Sequence, residues 1–374
     1  MKVVIVSPYY AGVGGLQQYT YNIATGLQRK GCEVTVMTCS HRPSEDGPRV
    51  YTLPPLTTIS NTPFSVRWFH IIKKLINRLN PDVVNGHLPV PYMADVAARV
   101  CGNRPYVLTY HNDAVGINTV TKLLVGTYYQ VLGKGTIRRA RRIITTSRHY
   151  AERSPYLKGC LNKVSVVPPG VDVAAFNPTR YSGYLRDVYG IEGTIILFVG
   201  QLSKAHRHKG LPVLIQALQS IDDPAMTLVI VGEGNARSDY ITYARQRGVA
   251  DRVIFAGLVP QEEMPLYYRG ADMTVLPTYT NAEGFGMVLA EANACGRPVI
   301  GTKVGGVPSV ITDGYNGLLI GPGDLKELVQ AIKALSQNKE LAARLGRNGC
   351  EKVNREFTWT KSISRTIDVY DGLI

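Results

Sequence analysis

Residues 281–292 read Asn281-Ala282-Glu283-Gly284-Phe285-Gly286-Met287-Val288-Leu289-Ala290-Glu291-Ala292, and the order of residue types in this run decides how the chain folds. Gly284 and Gly286 suit a turn from a strand into a helix, where backbone amides stay open, and the apolar residues 287–290 begin a buried helix. Glu283 stands before that helix and Glu291 lies more than a turn inside it. At a rise of about 1.5 Å per residue the two are on the order of 12 Å apart or less. Carboxylates at that spacing are too far apart to share a proton. They can hold opposite ends of one extended ligand, one on a ribose diol and the other on sugar hydroxyls. Glu291 in a mostly apolar helix is costly without a partner, and an internal salt bridge is the alternative to a ligand.

Outward from this run, short apolar stretches alternate with longer helical patterns, the mark of parallel sheets wrapped by helices. In the second half, strands are expected near 194–199, 226–231, 252–256, 272–276, 298–302 and 317–320. Helices are expected there near 210–219, 235–247, 263–269, 286–296, 324–335 and 340–350. The first half repeats the rhythm, with strands near 2–6, 33–38, 82–85, 105–110, 142–146 and 163–167. Its helices fall near 16–30, 65–79, 91–101, 118–141 and 148–157. Between the halves, Val167-Pro168-Pro169-Gly170-Val171-Asp172 can continue neither strand nor helix. A chain of 374 residues also exceeds what one hydrophobic core serves. The expectation is an α/β protein of two Rossmann-like domains, 1–170 and 171–357. A final helix, 358–374, returns to the first of them.

Three more loops at strand ends carry candidate chemistry. Tyr9-Tyr10-Ala11-Gly12-Val13-Gly14-Gly15-Leu16 leads from a buried strand into a helix whose amides and dipole favour an anion. It is neither G-x-G-x-x-G, since position 17 is Gln, nor a Walker A loop. Thr109-Tyr110-His111-Asn112-Asp113 follows a strand at its carboxyl end, where open α/β sheets bind ligands. Gly200-Gln201-Leu202-Ser203-Lys204-Ala205-His206-Arg207-His208-Lys209-Gly210 places three cations within six residues between strand and helix, enough to neutralise a diphosphate.

The formal charge is +14, and all of it sits in the first half: residues 1–170 hold 21 Lys+Arg against 7 Asp+Glu, and residues 171–374 hold 21 of each. Such a half-molecule points to an anionic partner. Arg138, Arg139, Arg141 and Arg142 are expected to end a helix bearing Leu123, Leu124, Val125, Tyr128, Tyr129, Val131 and Leu132, an arrangement that suits an anionic membrane face or acceptor. The six cysteines form no C-x-x-C pair, which fits reduced thiols in a cytoplasm. No stretch approaches a membrane span, so membrane contact is expected to be peripheral, on the inner face of the cytoplasmic membrane.

The E-x7-E spacing of Glu283 and Glu291 inside E-G-F-G-M-x-x-x-E resembles the family-4 retaining glycosyltransferases of GT-B fold. Companion elements follow in the same order along almost the whole chain: Gly14-Gly15, His111, Pro169-Gly170-Val171-Asp172, Lys209-Gly210, Val231-Gly232-Glu233-Gly234, Gly305-Gly306-Val307-Pro308 and Asn316-Gly317. The resemblance implies two domains facing across a cleft, the N-terminal one for the acceptor and the C-terminal one for a nucleotide-sugar donor. It implies that Glu291 holds the donor ribose and Glu283 the sugar hydroxyls. The amides of Phe285, Gly286 and Met287 would meet sugar and phosphates. Lys209 would neutralise the departing diphosphate, Gly14 and Gly15 would add amides, and His111 would sit near the anomeric centre. Gly232 and Gly234 would line the floor, Gly200 would belong to the donor-binding set, and the segment around Val259 would meet the base. One position departs from the pattern: where the family usually has Arg, this chain has Gln201. Lys204 or Arg207 would then supply the missing charge.

These implications describe a retaining, metal-independent transfer of a hexose from a UDP- or GDP-sugar to an acceptor hydroxyl, on a lipid-linked or otherwise anionic acceptor. No cofactor or metal is expected, because the chain lacks a D-x-D pair. Two rivals are a GT-B sugar-nucleotide epimerase and a nucleic-acid-binding protein. The second rests on charge alone, without a recognition motif.

Overall fold

Runs of four to six apolar residues, too short for helices, become the centres of two parallel sheets. The computed structural model describes all residues except 13, 40–46, 60–61, 115, 117–118 and 180–181. It divides into one unit of Met1–Gly170 with Trp359–Ile374 and a second of Val171–Thr358.

The first unit contains β1 (Lys2–Val6), β2 (Glu33–Thr38), β3 (Arg49–Thr52), β4 (Thr57–Ile59), β5 (Thr62–Phe64), β6 (Val83–Leu88), β7 (Tyr106–Tyr110), β8 (Arg142–Thr145) and β9 (Val164–Val166). Seven of these form a parallel sheet in the order β3-β2-β1-β6-β7-β8-β9, while β4 and β5 pair as a separate antiparallel ribbon. Strands β6 and β7 are buried along their whole length, as expected where helices cover both faces of a parallel sheet. Alternation along β1 separates the two faces. Val4 and Val6 join Trp68, Ile72, Met93, Ala97 and Ile137. Val3 and Ile5 join Tyr19, Ile23 and Leu27 of the helix Gly15–Arg29. The C-terminal helix Trp359–Asp371 completes this second face with Ile363 and Tyr370. It is fastened by Asn85 Nδ2 donating to Tyr370 Oη at 2.6 Å and by Ser362 Oγ donating to the Pro168 carbonyl at 2.7 Å.

The second unit contains β10 (Ile195–Val199), β11 (Thr227–Val231), β12 (Val253–Gly257), β13 (Met273–Leu276), β14 (Val299–Thr302) and β15 (Leu318–Ile320). Their order, β12-β11-β10-β13-β14-β15, is the doubly wound Rossmann order. The strand order reverses at β10/β13 here and at β1/β6 in the first unit. Ligands of such sheets bind beyond the carboxyl ends of the strands at that reversal.

Several elements depart from the sequence expectation. β3 and the β4–β5 ribbon lack an apolar run: every residue of β4 is exposed and β3 buries none fully, so periodicity carried no signal. The short helix Tyr184–Tyr189 was also not expected. The single helix expected over 118–141, whose first residue lies outside the described residues, is instead three pieces. An α-helix Thr119–Tyr128 runs into a π-helical turn Tyr129–Gly133 and then a helix Lys134–Arg139. Neighbours on an α-helix point about 100° apart, and the widened turn lets two consecutive tyrosines serve the interior. Tyr128 Oη donates to Asp95 Oδ2 at 3.1 Å, and Tyr129 Oη lies 2.7 Å from Tyr110 Oη. No helix among the described residues is long and apolar enough to cross a membrane.

Candidate active site

In the second unit the carboxyl ends of β10 and β13 are bound together through their loops. Residues Lys204–Lys209 form a 3-10 turn that ends at Gly210 and enters the helix Leu211–Gln219. Its His208 carbonyl accepts from Thr278 Oγ1 at 2.9 Å and from the Tyr279 amide at 3.0 Å, which ties the turn to the chain leaving β13. This brings Lys209 Nζ to 2.7 Å from Glu283 Oε2, with the side chains 18% and 13% exposed. Burial alone would raise the Glu283 carboxyl. The ammonium of Lys209, the nearby His208 and the Gly286 amide outweigh it and hold the group below the usual carboxylate range. Burial, then Lys209 and His208, also lower His206 of this turn to about 4.

The glycine pairs at neighbouring strand ends brace this arrangement. The Gly306 amide donates to the Glu283 carbonyl at 2.8 Å, and the Gly305 amide donates to Asn281 Oδ1 at 3.0 Å. A Cβ on Gly306 would fall 2.0 Å from the Gly284 carbonyl oxygen, so only glycine permits this approach. Gly232, at φ +139°, stands likewise against the Gly200 carbonyl oxygen, and Gly234 lies on Leu202. Four loops, after β10, β11, β13 and β14, thus form one interlocked edge.

Glu291 lies in the helix Met287–Ala294, for which Gly286 is the N-cap. Its Oε2 accepts from Tyr268 Oη at 2.6 Å, so the internal partner is a hydroxyl and not the cation of a salt bridge. Burial raises its carboxyl, and the Tyr268 bond only partly counters this. Its other oxygen has no hydrogen-bond partner among the described residues. Phe285 is buried edge-on to Phe357 at 5.3 Å, and Met287 and Val259 pack at the margin of the core. Gln201 is exposed. Of the two candidates for its missing charge, Arg207 is held by Asp239 at 2.6 Å. Lys204 is exposed, and its ammonium has no partner among the described residues.

In the first unit Gly14 caps the helix Gly15–Arg29 and both glycines are exposed, while Val13 lies outside the described residues. His111 follows β7, its amide donating to the Leu88 carbonyl at 3.1 Å. Its ring meets Tyr19 edge-on at 4.7 Å, and burial lowers it to about 3. Its Nε2 lies 3.4 Å from Nδ1 of His87, a fully buried residue of β6 that the sequence reading passed over. The available signal was a histidine inside the otherwise buried run 83–88. Asp113, part of the same sequence cluster as His111, is instead structural: it accepts from Tyr110 Oη at 2.6 Å and Ser154 Oγ at 2.7 Å.

The four arginines do not form one outward cluster ending a helix. Arg138 and Arg141 are exposed, and Arg142 opens β8. The Arg139 guanidinium turns inward to the Gly102 and Arg104 carbonyls and Cys101 Sγ, because the loop after Met93–Val100 leaves those acceptors uncovered. The apolar partner surface is displaced toward the start of the segment, where Val120, Leu123 and Leu124 are more than half exposed, together with Val131. Among the described residues no group of three His, Cys, Asp or Glu side chains could hold a metal ion.

Residues 13–175 match the model of Glycosyltransferase Family 4, and residues 186–352 match that of Glycosyl transferases group 1. The chain is 28% identical to O-antigen chain mannosyltransferase C of Escherichia coli, over all of this chain and 99% of the relative. It is 29% identical to a D-inositol 3-phosphate glycosyltransferase of Xylanimonas cellulosilytica, over 97% of this chain and 93% of that one. Among solved structures, Anabaena HepE in complex with UDP and glucose superposes with a TM-score of 0.80 at 20% identity, covering both chains fully. Two Rossmann-ordered sheets, the E-x7-E carboxylates beyond β13 and two matching domain models covering most of the sequence make the chain a member of the GT-B glycosyltransferases.

Proposed function

We propose that the chain moves a hexose from a UDP- or GDP-sugar, with retention and without a metal, to a hydroxyl of an anionic, lipid-linked acceptor in polysaccharide or glycolipid synthesis. The observation that carries this is the Lys209–Glu283 ion pair beyond the β10/β13 strand reversal. The ammonium is preorganised where a diphosphate would gain charge, and Glu283, kept ionised, accepts from sugar hydroxyls. Glu291 offers its unpartnered oxygen to the ribose, and Lys204 takes the place of the absent arginine. In the transfer the bond from the anomeric carbon to the diphosphate oxygen breaks. The acceptor oxygen attacks the same face, and its proton passes to the departing phosphate. Relatives named for a mannosyl transfer to O-antigen and for a phosphorylated acceptor support the substrate class.

A thermal-shift panel of UDP-, GDP- and ADP-sugars tests the donor: a midpoint rise with one nucleotide family is expected, and free nucleotide must appear with acceptor. Epimerised sugar without nucleotide release would reject transfer. His111→Ala is expected to keep the thermal shift and lose turnover. Because burial places His111 at about 3, it stays neutral at working pH, and its removal should not shift any inflection of the pH–rate profile above pH 5.

The exposed Val120, Leu123, Leu124 and Val131, in a half-molecule holding the whole charge excess, support peripheral contact with an anionic membrane. Flotation with anionic vesicles at low salt, reduced by Leu123→Ser/Leu124→Ser, is the expected result. Equal binding to neutral vesicles would reject the electrostatic part.

A further inference from the structure

We propose that His87 is a positioning residue that fixes His111 in one neutral tautomer, with its proton on Nδ1. This rests on the assignment of His111 to the transfer step made above. His87 lies on β6, one strand from His111, and is wholly buried. Its Nδ1 is 3.1 Å from Thr20 Oγ1 and 3.4 Å from His111 Nε2, while its Nε2 has no partner among the described residues.

The hydrogen-bond inventory decides where the protons lie. The Thr20 hydroxyl already donates to the Leu16 carbonyl at 2.8 Å, and the nearby Ser7 hydroxyl donates to the Tyr9 carbonyl at 2.9 Å. Thr20 Oγ1 therefore meets His87 as an acceptor, and His87 Nδ1 carries the hydrogen. The alternative tautomer would leave a buried N–H at His87 Nε2 without an acceptor. Orphaned buried N–H groups are rarer than under-satisfied acceptors. With N–H on His87 Nδ1, the facing His111 Nε2 presents its lone pair, and the single proton of neutral His111 goes to Nδ1.

The consequence is directional. Burial keeps both imidazoles uncharged, so His111 cannot compensate by taking a second proton. Its Nδ1 has no hydrogen-bond partner among the described residues, and Tyr19 holds the ring edge-on. His111 thus offers a hydrogen-bond donor to an oxygen of the substrate, and acts neither as a general base nor as a cation. His87 touches no substrate in this scheme and acts only through His111.

Two-bond ¹H–¹⁵N spectra of the full chain labelled at histidine, with His111 assigned by loss of its signals in His111→Ala, read the tautomer directly. The expected pattern is a protonated Nδ1 and an unprotonated Nε2 for His111. An Nε2–H pattern in the unsubstituted protein overturns the proposal whatever the variants do. An asparagine amide nitrogen occupies the place of histidine Nδ1, and that of glutamine the place of Nε2. His87→Asn should therefore keep kcat within about threefold, while His87→Gln and His87→Leu lower it about 10- to 100-fold with donor KM nearly unchanged. Equal kcat for the asparagine and glutamine variants, each with an unaltered unfolding midpoint, also overturns it. If His111→Ala retains full turnover, the transfer assignment of His111 fails. The tautomer assignment is still decided by the spectra.

Discussion

Replacing Lys209 with alanine is expected to lower kcat by about 10²–10³-fold, the cost of losing one preorganised group aimed at developing charge. Two effects add. On the proposed donor placement the departing diphosphate loses a cation, and Glu283, 2.7 Å from Lys209, loses its counter-charge in a poorly hydrated place. Burial then governs the Glu283 carboxyl and moves it upward, so part of the population becomes protonated and ceases to accept from two hydroxyls at once. Lys209→Arg should not restore the rate, because a planar fork cannot take the position of a compact ammonium. The pair also sets an acid limit on stability. A carboxyl depressed in the folded state stabilises it at pH values above the unfolded pKa, and that contribution is lost as pH falls through the folded value. Measuring kcat and the unfolding midpoint from pH 7 to pH 4 for Lys209→Ala and Glu283→Gln checks both halves. Unchanged kcat in Lys209→Ala would remove the basis of the donor assignment.

Glu291→Gln is expected to abolish most of the nucleotide-dependent thermal shift while raising the midpoint of the empty protein at neutral pH. The sign follows from the direction of its shift: burial raises the Glu291 carboxyl, so the ionised form is disfavoured in the folded state. This destabilisation is present at pH values above the raised pKa and fades as pH falls toward the ordinary carboxylate range. Glutamine keeps an acceptor for Tyr268 Oη and carries no charge, so the empty variant should be more stable at pH 7, with the difference shrinking on acidification. Binding moves the other way. A hydrogen bond to a charged group contributes about 1.5–3 kcal/mol, so donor affinity should fall by at least about 10- to 100-fold. Glu291→Ala should lose the shift as well, without the gain in stability, since it leaves the Tyr268 hydroxyl unpaired. A fully active Glu291→Ala variant would refute the ribose role. The opposite pH dependence of Glu283 and Glu291, eight residues apart, separates a carboxylate paired with a cation from a buried one paired only with a hydroxyl.

All the parallel strands of both sheets except β3 were legible, because they are short apolar runs bounded by turn residues. Their ends agree with the structure to within a few residues, as for 195–199 and 227–231. β3 and the β4–β5 ribbon were not legible: β3 buries no residue fully and β4 exposes all three of its own, so they leave no hydrophobic period. The π-helical turn escaped for a related reason. Its apolar and aromatic residues satisfy helical periodicity, and only the inward hydrogen bonds of adjacent Tyr128 and Tyr129 reveal the widened turn. At the candidate site, spacing drew attention to Glu283 and Glu291, and the family resemblance singled out Lys209 among the three cations of its loop. Neither could show that Arg207 is held by Asp239, or that Arg139 turns inward, because such pairings join distant positions. His87 was hidden by its own burial, since a histidine within an apolar strand looks like an ordinary core residue.

The return of the helix Trp359–Asp371 to the first unit has a consequence for biosynthesis. During translation the ribosome delivers residues 1–170 before the second unit, yet Tyr19, Ile23 and Leu27 of the helix Gly15–Arg29 await Ile363 and Tyr370, which follow that unit in the chain. The nascent N-terminal half therefore carries an uncovered apolar strip while the whole second unit is being synthesised, the interval in which aggregation or chaperone capture competes with folding. A premature stop near residue 358 would leave the second unit with its complete sheet and core, while the unit encoded first would be permanently unfinished.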